Sequence, residues 1–90
     1  MSVQIDIPPF LRDIADDAKM VNVSGGTVGE CLENFTEQFP GSKDFLFDKD
    51  GKLPKYLDVY VNGKSTYPEE LTKQVNDGDK IAILHLIVGG

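Results

Sequence analysis

The sequence has little of what marks several large classes of protein. It contains one cysteine, so no disulfide can form within the chain, and this is typical of a reducing, cytoplasmic setting. No apolar run approaches the roughly 20 residues that a membrane helix needs. The first seven residues lack the basic stretch of a signal peptide. We therefore expect a cytoplasmic chain without a membrane span or a cleaved leader.

Basic residues are also scarce. Nine Lys and Arg stand against 15 Asp and Glu, and the net charge is -6. Proteins that bind nucleic acid present a basic surface, and an acidic surface is poorly matched to an anionic membrane. We expect neither nucleic acid nor membrane as a partner. The acidic charge either steers the chain to a partner with a basic docking face or only maintains solubility.

Motifs for catalysis and ligand binding are missing as well. There is no P-loop and no nucleophile elbow, and the single histidine, His85, has no cysteine near it for a metal site. The loop at 48–52 has too few ligands for calcium. We expect no cofactor, no bound metal and no catalytic residue. A chain of 90 residues has no room for both a core and a deep active-site cleft, which favours a carrier, adaptor or subunit over an enzyme.

Two alternating segments come first in the chain. Val3, Ile5 and Ile7 alternate with polar residues and predict a half-buried strand, which a Pro-Pro pair ends. Residues 19–24 alternate again. They predict a second strand, paired to the first as a hairpin.

The clearest local signal is the start of a helix. Thr27 with Glu30 three residues later forms a capping box, in which each side chain satisfies an orphan amide of the first turn. A Pro-Gly pair at 40–41 ends the helix. We expect Cys31 to be a buried thiol of the apolar stripe, and the alternative is a reactive thiol. The stripe recurs at helical spacing and contains Val28, Cys31, Leu32, Phe35 and Phe39.

The second half of the chain predicts a hairpin and a final strand. An apolar anchor at 45–47 is expected to pack on the core within an otherwise irregular stretch, 42–56. Residues 57–61 alternate as a third strand, and Asn62-Gly63 is a strong hairpin signal. A short edge strand near Ser65-Thr66, one helical turn at 68–71 and a last strand over 80–86 follow.

This order of elements predicts an α+β fold of the β-grasp, or ubiquitin-like, class. A single main helix crosses one face of a mixed sheet of four to five strands, with the first and last strands parallel in the middle. We expect residues 1–86 to form this domain. Residues 87–90 are then a flexible diglycine tail.

Several short motifs carry a family resemblance when they are taken together. They are residues 5–8 with Leu11-Arg12, residues 26–29, residues 56–63, residues 77–81, and the ending Val88-Gly89-Gly90. In this order, along nearly the whole chain, they resemble the MoaD/ThiS family of bacterial sulfur carriers. The loop at 51–53 is most similar to that of carriers supplying sulfur for cysteine assembly. The small subunit of molybdopterin synthase is the next most similar type.

The resemblance implies a function. An E1-like enzyme adenylates the C-terminal carboxylate, which is converted to a thiocarboxylate. By this resemblance Gly90 is the adenylation and thiocarboxylate site, and the chain donates sulfur in cysteine or molybdopterin biosynthesis. The implied partners are an E1-like adenylating and sulfur-transferring enzyme, a sulfur-accepting synthase and a metalloprotease. The alternatives are a ubiquitin-like protein modifier or a non-catalytic small subunit of a molybdopterin-synthase-like complex.

Two groups of residues form the candidate site. The tail contains Val88, Gly89 and Gly90, and glycine lets the backbone enter a narrow channel because it has no Cβ. Taken alone, two glycines also fit a frayed terminus. A partner-docking surface is expected on the sheet face away from the helix, where exposed apolar residues would mark an interaction site. The alternative is that the loops at 8–18 or 42–56 cover this face, whose candidate residues are Tyr60, Leu84, Leu86 and Ile87.

Overall fold

Two β-hairpins, a long helix and a final central strand make up the computed structural model. It describes residues 2–86. The predictions for the tail, which concern Ile87 and residues 88–90, therefore lie outside the described residues. The elements are β1 (Val3–Asp6), β2 (Met20–Val23), α1 (Val28–Gln38), α2 (Lys43–Leu46), β3 (Leu57–Val61), β4 (Lys64–Ser65) and β5 (Lys80–His85), with 3-10 turns at Pro9–Leu11, Pro40–Ser42 and Glu70–Thr72.

The sheet has the strand order β2-β1-β5-β3-β4. The two central strands, β1 and β5, run parallel, with Ile5 opposite Ile81, while all other neighbours are antiparallel. This confirms the predicted β-grasp fold and its parallel centre. One difference is that β4 covers Lys64–Ser65, because Thr66 instead turns inward and donates its hydroxyl to the Val59 carbonyl at 2.8 Å.

Helix α1 covers the inner face of the sheet. Its N-cap is Thr27, whose hydroxyl accepts from the Glu30 amide at 3.1 Å, as the sequence predicts. The Glu30 carboxylate, however, accepts from the Gly26 amide at 2.7 Å, one residue before the cap. The predicted capping box is thus shifted by one residue on its carboxylate side. The buried core joins this helix to the sheet and includes Val3, Ile5, Ile7, Val28, Cys31, Leu32, Phe35, Val59, Ile81 and Ile83.

The turn between β3 and β4 also fixes the start of β5. Asn62 and Gly63 both have positive φ, 51° and 83°, which is the backbone that a two-residue hairpin of this hand requires. The Asn62 side chain donates to Asp79 at 3.0 Å and accepts from the Lys80 amide at 3.0 Å. This amide clamp holds β5 in register between the two hairpins.

Candidate functional site

The end of β5 presents two different surfaces, one on each face of the sheet. Ile81 and Ile83 are buried under the helix, whereas Leu84 and Leu86 on the outer face are 42% and 41% exposed. Tyr60 pairs with Ala82 on the same outer face and is half-buried. The predicted apolar outer face is therefore confirmed at both leucines. That it docks a partner stays a prediction, and Ile87 lies outside the described residues.

A groove of about 670 Å³, which we call the outer groove, borders this face. Tyr60, Tyr67 and Leu86 contribute apolar surface to its wall, and Lys52 and Glu70 contribute charge. The loop at 42–56 flanks the groove, while the loop at 8–18 sends Leu11 and Ala15 into the core instead. Leu84 and Leu86 nevertheless stay 42% and 41% exposed, so neither loop covers this face completely.

The opposite face at the end of β5 forms a second cavity, the aromatic pocket. It is lined by Pro9, Phe10, Phe45, Tyr56 and His85 and has a volume of about 540 Å³. The His85 ring lies edge-on to Phe10, with 5.4 Å between centroids, and tilted to Tyr56, at 5.5 Å. These are ordinary distances for favourable aromatic pairs. His85, the last residue of β5, is thus also a member of an aromatic cluster.

Hydrogen bonds fix the aromatic pocket to the strand that leads toward the tail. The Tyr56 hydroxyl donates to the Phe45 carbonyl at 3.0 Å, joining the two loop segments. The Leu86 amide donates to the Tyr56 carbonyl at 2.7 Å, so backbone pairing continues one residue beyond β5. The predicted last strand ran to Leu86. The assigned strand ends at His85, but Leu86 is held by this bond.

Two carboxylates have lowered pKa values for structural reasons. Asp48 accepts from the Lys52 and Asp50 amides, which lowers its pKa and closes the loop at 48–52. Asp79 accepts from the Asn76 amide and the Asn62 side chain, which lowers its pKa in the amide clamp. Neither carboxylate lines the aromatic pocket. Both therefore stabilise turns.

The single cysteine belongs to the core. Cys31 is fully buried, and its burial raises the pKa of the thiol, with the neighbouring charge of Glu30 adding to the rise. A raised pKa disfavours the nucleophilic thiolate. The prediction of a buried core thiol is confirmed. Within residues 2–86, His, Cys, Asp and Glu side chains form no group of three that could hold a metal ion.

No pattern in the sequence predicts the aromatic pocket. The segment at 45–47 packs on the core as expected, through the fully buried Leu46 and the partly buried Phe47, but Phe45 is 42% exposed and faces the pocket instead. Phe10 lies in a short 3-10 turn and Tyr56 in the loop before β3, and neither segment has a periodic signal. The only available signal was the number of aromatic residues in non-periodic stretches.

No helix among residues 2–86 combines the length and the apolar character that crossing a membrane would require. The longest helix among these residues, α1, has 11 residues and buries only one of its faces.

Known proteins similar to this chain share its fold over nearly the full length. The Amycolatopsis orientalis BexX/CysO complex contains a chain 32% identical, with a TM-score of 0.88, covering 98% of this chain and 99% of that one. Mycobacterium tuberculosis CysO, described as an antigen, is 30% identical, with a TM-score of 0.87 and coverage of 94% and 99%. SAMP1 from Haloferax volcanii is 25% identical, with a TM-score of 0.85, and both chains are covered completely.

Among curated proteins, none matches this chain. The model of the ThiS family matches residues 5–90 of this chain. That range includes every strand of the sheet except the first two residues of β1. With its β-grasp sheet and its 32% identical structural relative, the chain belongs to the ThiS family.

Proposed function

We propose that this chain is a sulfur carrier whose C-terminal carboxylate, on Gly90, is adenylated by an E1-like enzyme and converted to a thiocarboxylate. The observation that carries the proposal is the ThiS family match, which extends through the final diglycine. In this role residues 87–90 are the reactive tail and residues 2–86 are the body that a partner recognises. The chain is then a substrate of its partners and performs no catalysis itself.

The chemistry has two steps. The Gly90 carboxylate attacks the α-phosphorus of ATP, pyrophosphate leaves, and an acyl adenylate forms. Hydrosulfide (HS⁻) then attacks the acyl carbon, the bond from that carbon to the phosphate oxygen breaks, and AMP leaves with the electron pair. The thioacid loses its proton to give the thiocarboxylate. A carboxylate needs this activation because its negative charge repels nucleophiles. Gly89 and Gly90 suit a confined site because neither carries a Cβ.

In this proposal the activating enzyme docks on the outer face of β5. Fixing the backbone of one residue in a single conformation costs about 1–2 kcal/mol. Contacts made by the body must offset this cost. Leu84 and Leu86 are the exposed apolar residues on the outer face immediately before the tail. We assign them, with Tyr60 and Ile87, to the docking surface.

The acceptor of the sulfur is proposed from the relatives. Sequence identity of 30% to Mycobacterium tuberculosis CysO and of 32% to a chain of the BexX/CysO complex favours the cysteine-type carrier over molybdopterin biosynthesis. The similarity to SAMP1 favours a second candidate function, that of a protein modifier. SAMP1 from Methanosarcina acetivorans, which is 26% identical to this chain, is described as small archaeal modifier protein 1. In a modifier, a lysine amine of another protein attacks the activated Gly90 and an isopeptide bond forms.

Reconstitution tests the proposal directly. The chain is incubated with the E1-like enzyme encoded in the same genome, ATP and sulfide, and intact mass is measured. We expect the mass to rise by the difference between sulfur and oxygen, and a chain lacking Gly90 to stay unchanged. Equal sulfur uptake without Gly90 would falsify the proposal. Isopeptide adducts to cellular proteins, with no thiocarboxylate, would favour the modifier.

A matched pair of variants tests the docking surface. Leu84→Ala removes an exposed side chain beside the tail, and Met20→Ala removes one that is 55% exposed on β2, at the edge of the sheet. We expect Leu84→Ala to slow thiocarboxylate formation at low carrier concentration, with recovery at high concentration. Met20→Ala should behave as wild type. Equal rates for both variants would contradict the assignment.

A further inference from the structure

We propose that the aromatic pocket accepts a bulky, uncharged apolar side chain of the enzyme that activates Gly90. This inference rests on the proposed function and adds a second contact to it, on the opposite face from Leu84 and Leu86. The pocket, formed by Pro9, Phe10, Phe45, Tyr56 and His85, then serves as the anchor of the carrier–enzyme interface.

The tail is short, so an enzyme that acts on Gly90 must come close to Leu86. Four residues separate Leu86 from the terminal carboxylate, and an extended chain spans at most about 3.6 Å per residue. The part of the enzyme that surrounds the terminal carboxylate must therefore lie within roughly 14 Å of Leu86. A specific interface usually buries about 800 Å² on each partner. A contact of this size around Leu86 extends to the pocket, because His85 is its immediate neighbour.

The distribution of exposed apolar residues is the second argument. Phe10, Phe45 and Tyr56 are all partly exposed, and they gather at the end of β5 that leads to the tail. With Leu84 and Leu86 on the other face, they surround the point where the chain continues into residues 87–90. Clustered exposed apolar side chains on a small protein mark a contact surface.

The rigidity of the pocket is the third argument. Tyr56 is held at both ends, since its hydroxyl donates to the Phe45 carbonyl and its carbonyl accepts from the Leu86 amide. The imidazole of His85 packs between Phe10 and Tyr56. A pocket that is already formed loses little conformational entropy when it is filled, and such pockets hold the dominant residues of interfaces.

The chemistry of the lining selects the occupant. None of the five lining residues is Asp, Glu, Lys or Arg, although charged residues make up 27% of the chain. An aromatic site for a cation gains from a nearby carboxylate, and no carboxylate lines this one. The fitting occupant is an uncharged apolar side chain, such as leucine, methionine or phenylalanine.

The test compares variants of the full chain in ATP–pyrophosphate exchange catalysed by the E1-like enzyme of the same genome. We expect Phe10→Ala and Phe45→Ala each to raise the KM for the carrier about tenfold, at unchanged kcat. Met20→Ala is the control for losing an exposed apolar side chain elsewhere. Phe45→Ala keeps the test valid if Phe10→Ala fails to fold, because Phe45 is 42% exposed.

The outcomes separate the inference from the proposed function. If both variants support exchange with the KM of the wild type, the inference is overturned and the proposal of a sulfur carrier stands. If the wild type supports no exchange, the proposed function fails and the inference fails with it. A concentration-dependent dimer that disappears in Phe45→Ala, seen by sedimentation, would assign the pocket to a second copy and also overturn the inference.

Discussion

A methyl group added at Gly25 should destabilise the protein strongly, because the helix start leaves no space for it. A Cβ built on Gly25 lies 2.7 Å from the Cys31 sulfur and 2.8 Å from the Cys31 backbone nitrogen. That nitrogen is fixed, since its amide donates to the Thr27 carbonyl at 3.0 Å in the first turn of α1. The clash therefore involves backbone that cannot yield without opening the helix.

The magnitude follows from overpacking. Inserting a methyl into a filled site costs about 1–3 kcal/mol, and we expect Gly25→Ala to reach the upper part of this range because one of the clashing atoms is backbone. A domain of this size loses roughly 4–8 °C in Tm per kcal/mol. The expected shift is therefore more than about 10 °C. Gly63→Ala is the matched control, since its Cβ meets nothing within 4 Å and only its φ of +83° is unfavourable.

Urea unfolding followed by circular dichroism measures both variants. A double variant with Cys31→Ala isolates the sulfur contact, because the clash with the backbone nitrogen remains. We expect the double variant to be more stable than the sum of the single changes, by a coupling energy of about 0.5–1 kcal/mol. Equal losses for Gly25→Ala and Gly63→Ala, or strict additivity with Cys31→Ala, would refute the steric reasoning.

Two further predictions concern titrating groups. Because burial raises the pKa of the Cys31 thiol, a chromogenic disulfide reagent should react with it slowly in the native protein and fully in urea; rapid native labelling would contradict this. The pKa of Asp79 in the folded protein is lowered from its ordinary 3.8, so the unfolded state binds more protons in acid. The stability that this carboxylate contributes is therefore lost as pH falls through its folded pKa. Asp79→Asn should therefore be less stable at neutral pH and less pH-sensitive in acid, measured as the urea midpoint at each pH. An unchanged acid slope would show that this carboxylate is not responsible.

Much of the fold follows from short-range patterns. The alternation at 57–61 and the Asn62-Gly63 pair predict the second hairpin, since side-chain period and positive φ are local properties. Thr27 and the apolar stripe predict helix α1 for the same reason. The carboxylate of Glu30 departs from the pattern, since it accepts from the Gly26 amide and not from that of the N-cap. The family resemblance is confirmed by the ThiS match.

The candidate site is predictable only in part. Alternation along β5 places Leu84 and Leu86 together on one face, opposite Ile81 and Ile83, and the packing of α1 makes that face the outer one. The aromatic pocket depends on where two loops meet the strand, and it brings together Phe10, Tyr56 and His85 from three distant segments. No periodicity describes such a meeting, because tertiary packing alone determines it. A residue that looks isolated in the sequence, His85, thus lies between two rings.

The parallel pairing of β1 with β5 has a practical consequence for handling the protein. Ser2 exchanges hydrogen bonds with Asp77 and Gly78 just before β5, at 2.8 Å each. A strand of six residues is about 20 Å long, so Ser2 and Leu86 lie at opposite ends of the sheet. A purification tag or fluorophore attached ahead of Ser2 therefore leaves the surroundings of Leu86 open to a large enzyme. The same label placed after Gly90 would replace the free carboxylate with an amide.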